Sequence, residues 1–173
     1  MTKKTKGGET YQSFLSRTFY NYNDALDQAR CDRFTHVTHS DGTTKNIRLL
    51  DGQLFVCKGC CCGNTEKGNP PVPLEEFKAQ WRKRKLRSRV HLTVSGCLGP
   101  CQLANVVLIL FDGHTIWLHS INTSAHVTAI YDYLEEVLLT GAYAPPQGLL
   151  AGCHFQRFER DAVTQAQNSY PKS

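Results

Sequence analysis

Residues 55–63 read Phe55-Val56-Cys57-Lys58-Gly59-Cys60-Cys61-Cys62-Gly63, and residues 94–101 read Val94-Ser95-Gly96-Cys97-Leu98-Gly99-Pro100-Cys101. Together they hold six of the eight cysteines. Each follows a short apolar run, Gln53–Val56 before Cys57 and Val90–Val94 before Cys97, and each run reads as a strand. Glycines at 59, 63, 96 and 99 leave room beside the sulfurs and let backbone amides face them. Cysteines at strand ends with glycines beside them suit a metal centre that the backbone approaches closely.

Working outward, residues 63–73 form a Gly/Asn/Pro loop, and Pro73 suits a first helical position with Glu75 and Glu76 in the favourable first turn. Leu74, Phe77 and Trp81 then share one helical face. Val106–Phe111, Asp112-Gly113 and Thr115–His119 read as two strands around a tight turn. Ser124 is the expected cap of a last helix, with apolar face Val127, Ile130, Tyr131, Leu134 and Leu138 and its end at Gly141. The order over residues 53–141 is therefore β-α-β-β-β-α, an α/β domain. In front of it, residues 10–52 read as an appendage: a short helix capped near Asn23-Asp24 and carrying Ala25, Leu26 and Ala29, then a hairpin whose strands 34–39 and 43–49 flank Ser40-Asp41-Gly42. Residues 1–9 are polar and expected to be disordered. Pro145-Pro146 is expected to lead away into a C-terminal tail over residues 142–173.

At 173 residues with 40% hydrophobic content and a net charge of +5, the chain can bury a full core and is ordinary in composition. No apolar run approaches the roughly 18 residues of a membrane span. The basic N-terminus has no apolar stretch behind it, so a cytoplasmic location is expected. A reducing compartment disfavours structural disulfides, and a cysteine cluster there points to metal or redox work.

The spacing Cys57-x4-Cys62, a long gap, then Cys97-x3-Cys101 gives thiolates in two separated pairs, the usual complement of a 2Fe–2S cluster. Plant-type spacing is not met, because the position three after Cys62 is Thr65. A Rieske centre needs two histidine ligands, and neither loop contains one. Cys60 and Cys61 leave the first loop ambiguous, since Cys57-x2-Cys60 with Cys97-x3-Cys101 would also make a tolerable zinc site, and the Cys60-Cys61-Cys62 run a thiol redox site.

With those residues in view, the chain resembles the thioredoxin-like 2Fe–2S ferredoxins, the family of the small ferredoxin-like subunit of respiratory complex I and of NAD-linked hydrogenases. The C-x4-C…C-x3-C pattern carries the resemblance, and Ser95-Gly96-Cys97-Leu98-Gly99-Pro100-Cys101 is similar to the family's second loop almost letter for letter. It covers about half the chain and implies a thioredoxin-like sheet, a cluster held by Cys57, Cys62, Cys97 and Cys101, and one-electron transfer to a partner enzyme rather than catalysis by the chain itself. The wording Cys61-Cys62-Gly63…Lys67-Gly68 and Gly96…Cys101…Ala104-Asn105 also resembles a bacterial branch associated with cobalamin and tetrapyrrole metabolism. Two rivals stand beside this reading, a zinc-stabilised interaction module and a metal-delivery accessory protein.

Cys31 and Cys153 read as inert thiols, His91, His114 and His119 as structural histidines, and Trp81 and Trp117 as packing residues. The strongest charge feature is Trp81-Arg82-Lys83-Arg84-Lys85-Leu86-Arg87-Ser88-Arg89. Basic residues at a helix end complement the macrodipole. That is the favoured reading, and the alternative is a docking face for an acidic redox partner. Neither a membrane nor nucleic acid is the expected partner, since no recognised binding motif accompanies the charge. A homodimer is compatible with the sequence.

Overall fold

The computed structural model describes residues 33–158. The lead over residues 1–9, the helix expected near Asn23 and Cys31 lie outside the described residues.

Strands β1 (Phe34–Thr38) and β2 (Thr44–Arg48) form the expected hairpin as a two-stranded sheet of their own, with every residue of both strands exposed. Its turn is built by Asp41, whose Oδ1 accepts from the Thr43 amide at 2.9 Å and the Thr43 hydroxyl at 2.7 Å. Such local bonds are why Asp favours turns.

The main sheet comprises β3 (Gly52–Cys57), β4 (Val90–Ser95), β5 (Val107–Phe111), β6 (His114–Leu118) and β7 (His154–Phe155), in the order β4-β3-β5-β6-β7. Strands β3 and β4 are parallel and joined through α1 (Leu74–Lys83); β5 and β6 add on antiparallel, and α2 (Ser124–Thr140) follows. A parallel βαβ unit continued by an antiparallel ββα unit is the thioredoxin-like arrangement. The β5–β6 turn has positive φ at both Asp112 (48°) and Gly113 (72°), the tight hairpin geometry that Asp-Gly favours.

Alternation along the strands separates two faces. Leu54, Val56, Val107, Ile109, Phe111, Ile116 and Leu118 are buried against Phe77 of α1 and against Val127, Ile130, Tyr131, Leu134 and Leu138 of α2. Both helices lie on this face and touch, since Tyr131 donates to the Phe77 carbonyl at 2.7 Å and Gln80 to the Thr128 hydroxyl at 2.7 Å. Across the opposite face the register aligns Thr93, Phe55, Leu108, Trp117 and Phe155 in one row.

Three expectations are adjusted. Pro73 is the residue before the first helical position of α1 rather than in it. The cap of α2 is Thr123, extended at φ −129°, with its hydroxyl accepting from the His126 amide at 3.3 Å; Ser124 is the first helical residue. The chain past Pro145-Pro146 does not leave as a tail: Leu150 and Cys153 enter the core, the His119 amide bonds the Cys153 carbonyl at 2.9 Å, and β7 extends the sheet.

Arg89, 2% exposed, ties the β3 and β4 ends together. Its Nε donates to Asp51 Oδ2 at 2.9 Å and its Nη2 to the Leu138 carbonyl at 3.1 Å. Losing one member of a buried ion pair is strongly destabilising, and the partner that stays with Asp51 is the half-exposed Arg33 at 3.6 Å. Arg89→Met is therefore expected to lower stability by about 3 kcal/mol in urea unfolding.

Candidate metal centre

The parallel register from Gly52↔Val90 to Cys57↔Ser95 brings β3 and β4 to the same sheet edge, so the two cysteine loops emerge side by side despite their distance in sequence. The Lys58 amide bonds the Ser95 carbonyl at 2.9 Å, and the Cys57 amide bonds the Val106 carbonyl at 3.0 Å. The loops touch: a Cβ at Gly59 would sit 3.4 Å from the Cys97 nitrogen.

Cys57, Cys60, Cys61, Cys62, Cys97 and Cys101 line one pocket with Gly99, Pro100 and Val106. Cys57 and Cys62 form the buried inner side. Cys97 and Cys101 approach to 3.2 Å on the outer side. The four cysteines singled out by spacing thus line the same pocket as Cys60 and Cys61. Cys60 and Cys61 join the outer group, with Cys60 Sγ 3.5 Å from Cys101 and 4.0 Å from Cys61. Potential ligand atoms of Cys60, Cys61 and Cys101 all lie within 4.8 Å of one another.

This crowding alters the thiols. Burial, then the neighbouring Cys62 thiol, pushes Cys57 up to about 12, against the Leu98 amide, whose hydrogen bond favours the thiolate. The bond with Cys97, then that with Cys60, pushes Cys101 up to about 12. Close-packed thiols hold their protons until a cation replaces them, and metal binding releases those protons. The lining has only sulfur donors and no carboxylate or imidazole. Such a soft set suits iron–sulfur clusters and zinc. The donor chemistry therefore fits a 2Fe–2S group.

Three contributors were not legible beforehand. Asn105, 1% exposed, braces the first loop: its Oδ1 accepts from the Gly63 amide at 2.8 Å, and its Nδ2 donates to the Pro70 carbonyl at 2.9 Å and to Asn122 at 2.7 Å. Trp117, 5% exposed, packs in one cluster with Cys57, Cys62 and Val106, and its buried Nε1 has no partner among the described residues. Arg157 lies over the Trp117 ring. The adjacent prolines Pro70 and Pro71, whose carbonyls Asn105 faces, and an aromatic in β6 were the available signals, and neither specifies a site.

The remaining candidates are structural. Cys153 is buried in the main core, where burial pushes its thiol up. His114 stacks on Tyr143 at 3.9 Å, and His119 Nδ1 meets the Ser120 hydroxyl at 2.9 Å. In the basic run, Arg84 bonds Asp132 at 2.7 Å and Glu135 at 2.9 Å, linking α1 to α2, and Arg89 is the buried brace described above. Arg82 and Arg87 remain exposed. The run sits at the Gly52/Val90 end of the sheet, opposite the cysteines.

No protein-family model matches the chain, and no curated protein matches it. Among solved structures it is similar to the wild-type thioredoxin-like [2Fe-2S] ferredoxin from Aquifex aeolicus, at 16% identity and TM-score 0.43 over 63% of this chain and 100% of that one. It is similar also to two cysteine-to-serine variants of that ferredoxin. One shows 19% identity and TM-score 0.40 over 61% of this chain and 99% of that one. The other shows 18% and 0.39 over 61% and 99%. The thioredoxin-like assignment of the fold stands on strand order and crossover, independently of these superpositions. No helix among the described residues is long and apolar enough to cross a membrane.

Proposed function

We propose that the chain is a one-electron carrier holding a 2Fe–2S cluster on Cys57, Cys62, Cys97 and Cys101. The observation that carries this reading is the convergence of two cysteine pairs, one buried and one outer, on a single all-sulfur pocket. When bound, the cluster supplies reversible one-electron chemistry. The protein's part is to supply the thiolates, to present the Leu98 amide to Cys57, and to bury one side of the site behind Val106 and Trp117. Such hydrogen bonds and burial set the potential of an iron–sulfur centre.

The partner we infer is an acidic redox protein, and the exposed Arg82 and Arg87 are the basic groups of the run that carry no structural ion pair among the described residues. Work in cobalamin or tetrapyrrole metabolism belongs to the same proposal and rests on the sequence wording alone. A second reading is favoured by one observation, the grouping of Cys60, Cys61 and Cys101, which three-thiolate zinc binding or metal delivery would use.

Anaerobic purification separates the two. The expected product is brown, with about two irons and two acid-labile sulfides per chain, and on reduction shows the paramagnetic resonance of one mixed-valence centre. A colourless chain loaded stoichiometrically with zinc and free of sulfide would establish the second reading.

A further inference from the structure

Arg157 is the charged side chain placed against the cysteine site by a segment remote from both loops. Strand β7 pairs Phe155 with Trp117, and two residues later the Arg157 guanidinium carbon stands 4.7 Å from the Trp117 ring centroid and 5.8 Å from that of Phe158. The Trp117 ring packs in the same cluster as Cys57 and Cys62. On its other side, the guanidinium occupies the space a Cβ on Gly99 would need, and Gly99 lies between Cys97 and Cys101. A planar cation over an indole face is held in place by attraction to the ring's electrons. Among the described residues no carboxylate pairs with Arg157.

We propose that Arg157 is a built-in cation that sets the reduction potential of this site, held by Trp117 against the Cys97–Cys101 loop. This rests on the cluster reading above. An electron taken up from a donor adds one negative charge to the centre, and no other atom changes place. A fixed positive charge nearby favours the reduced form over the oxidised one, so its removal lowers the potential. Arginine suits the role because its guanidinium stays charged and stacks flat. The residue is exposed on its outer side, so water and salt screen the effect, which places it near tenfold in electron affinity rather than far beyond.

The test is an anaerobic dithionite titration of the full chain, followed by visible absorption, for wild type, Arg157→Gln and Arg157→Lys at low and high salt. Arg157→Gln is expected to bind the electron about tenfold more weakly, about 59 mV for a one-electron couple. The gap should narrow as salt rises, and Arg157→Lys should restore most of it. Loss of the cluster in Arg157→Gln with retention at wild-type potential in Arg157→Lys also supports a charge role. A loaded Arg157→Gln with unchanged potential overturns the proposal alone, as does loss of the cluster in both variants, which would make Arg157 a packing residue. Wild type without iron and sulfide overturns the cluster reading, and this proposal with it.

Discussion

Cys62→Ser is expected to strip the chain of its cluster, while Cys60→Ser leaves the spectrum nearly intact. Cys62 is 5% exposed and Cys57 3%, and both line the pocket, so these two sulfurs form its inner wall. Nothing else on that wall offers a donor: the rest of the lining is glycine, proline, valine and the outer cysteines. A serine hydroxyl there must be deprotonated in a buried place to act as a ligand, and it is a harder donor than the site is built from. Cys60 differs. It is exposed and lies 3.5 Å from Cys101, so it adds a thiol to an outer side that Cys97 and Cys101 already furnish. Iron and sulfide retained after gel filtration should therefore fall more than ~10-fold in Cys62→Ser, a loss at the scale even supporting residues produce in metal sites. The reverse pattern would make Cys60 the ligand and the Cys60–Cys61–Cys101 group the true metal-holding geometry.

Gly99→Val is the second large effect. Gly99 has φ +111°, a backbone conformation that L side chains rarely adopt, and Pro100 after it narrows the alternatives further. The Cys101 amide returns to the Gly99 carbonyl at 2.8 Å, so relaxing φ would reopen the tight turn that brings Cys101 back to Cys97. A β-branched side chain also meets Arg157. Valine thus carries backbone strain, on the order of 1–3 kcal/mol, and must push the guanidinium off Trp117. The expected result is an apo chain with native-like circular dichroism whose retained iron is far below wild type. Gly96 is the control, since a Cβ there meets nothing within 4 Å and its φ is not positive, so Gly96→Ala should load normally. A Gly99→Val protein with full iron and an unchanged potential would remove the loop geometry from the account.

The β-α-β-β-β-α order was legible because each element announced itself locally: Asp112-Gly113 between two β-branched runs, and the 3.6-residue spacing from Val127 to Leu138. Convergence of the two loops was legible too, because β3 ends on Cys57 and β4 ends two residues before Cys97. Thr123 was missed as a cap because two adjacent hydroxyl residues can both serve, and only the extended backbone at 123 decides between them. Strand β7 was missed because it is two residues long and follows prolines, so its strand character comes wholly from pairing with Trp117 and Leu118. Asn105 in a loop reads as turn chemistry; its role as brace exists only once residues 63, 70 and 122 are brought around it. The choice among Cys60, Cys61 and Cys62 turns on which sulfur faces inward, and three adjacent cysteines carry no pattern that says so.

The late return of the chain to the sheet has a consequence for biosynthesis. Cys57 and Cys62 are translated early, the second loop follows some forty residues later, and β7 with Arg157 comes last of the described parts. Iron arriving on a nascent chain past the first loop would meet the four thiols of residues 57–62, before Cys97, Cys101 and Trp117 have been made. The site reaches its final form only after residue 157 has been synthesised and docked. On the proposed cluster reading, a chain truncated just before β7 keeps all four proposed ligands and lacks the Phe155 and Arg157 contacts to Trp117 that close one wall of their chamber.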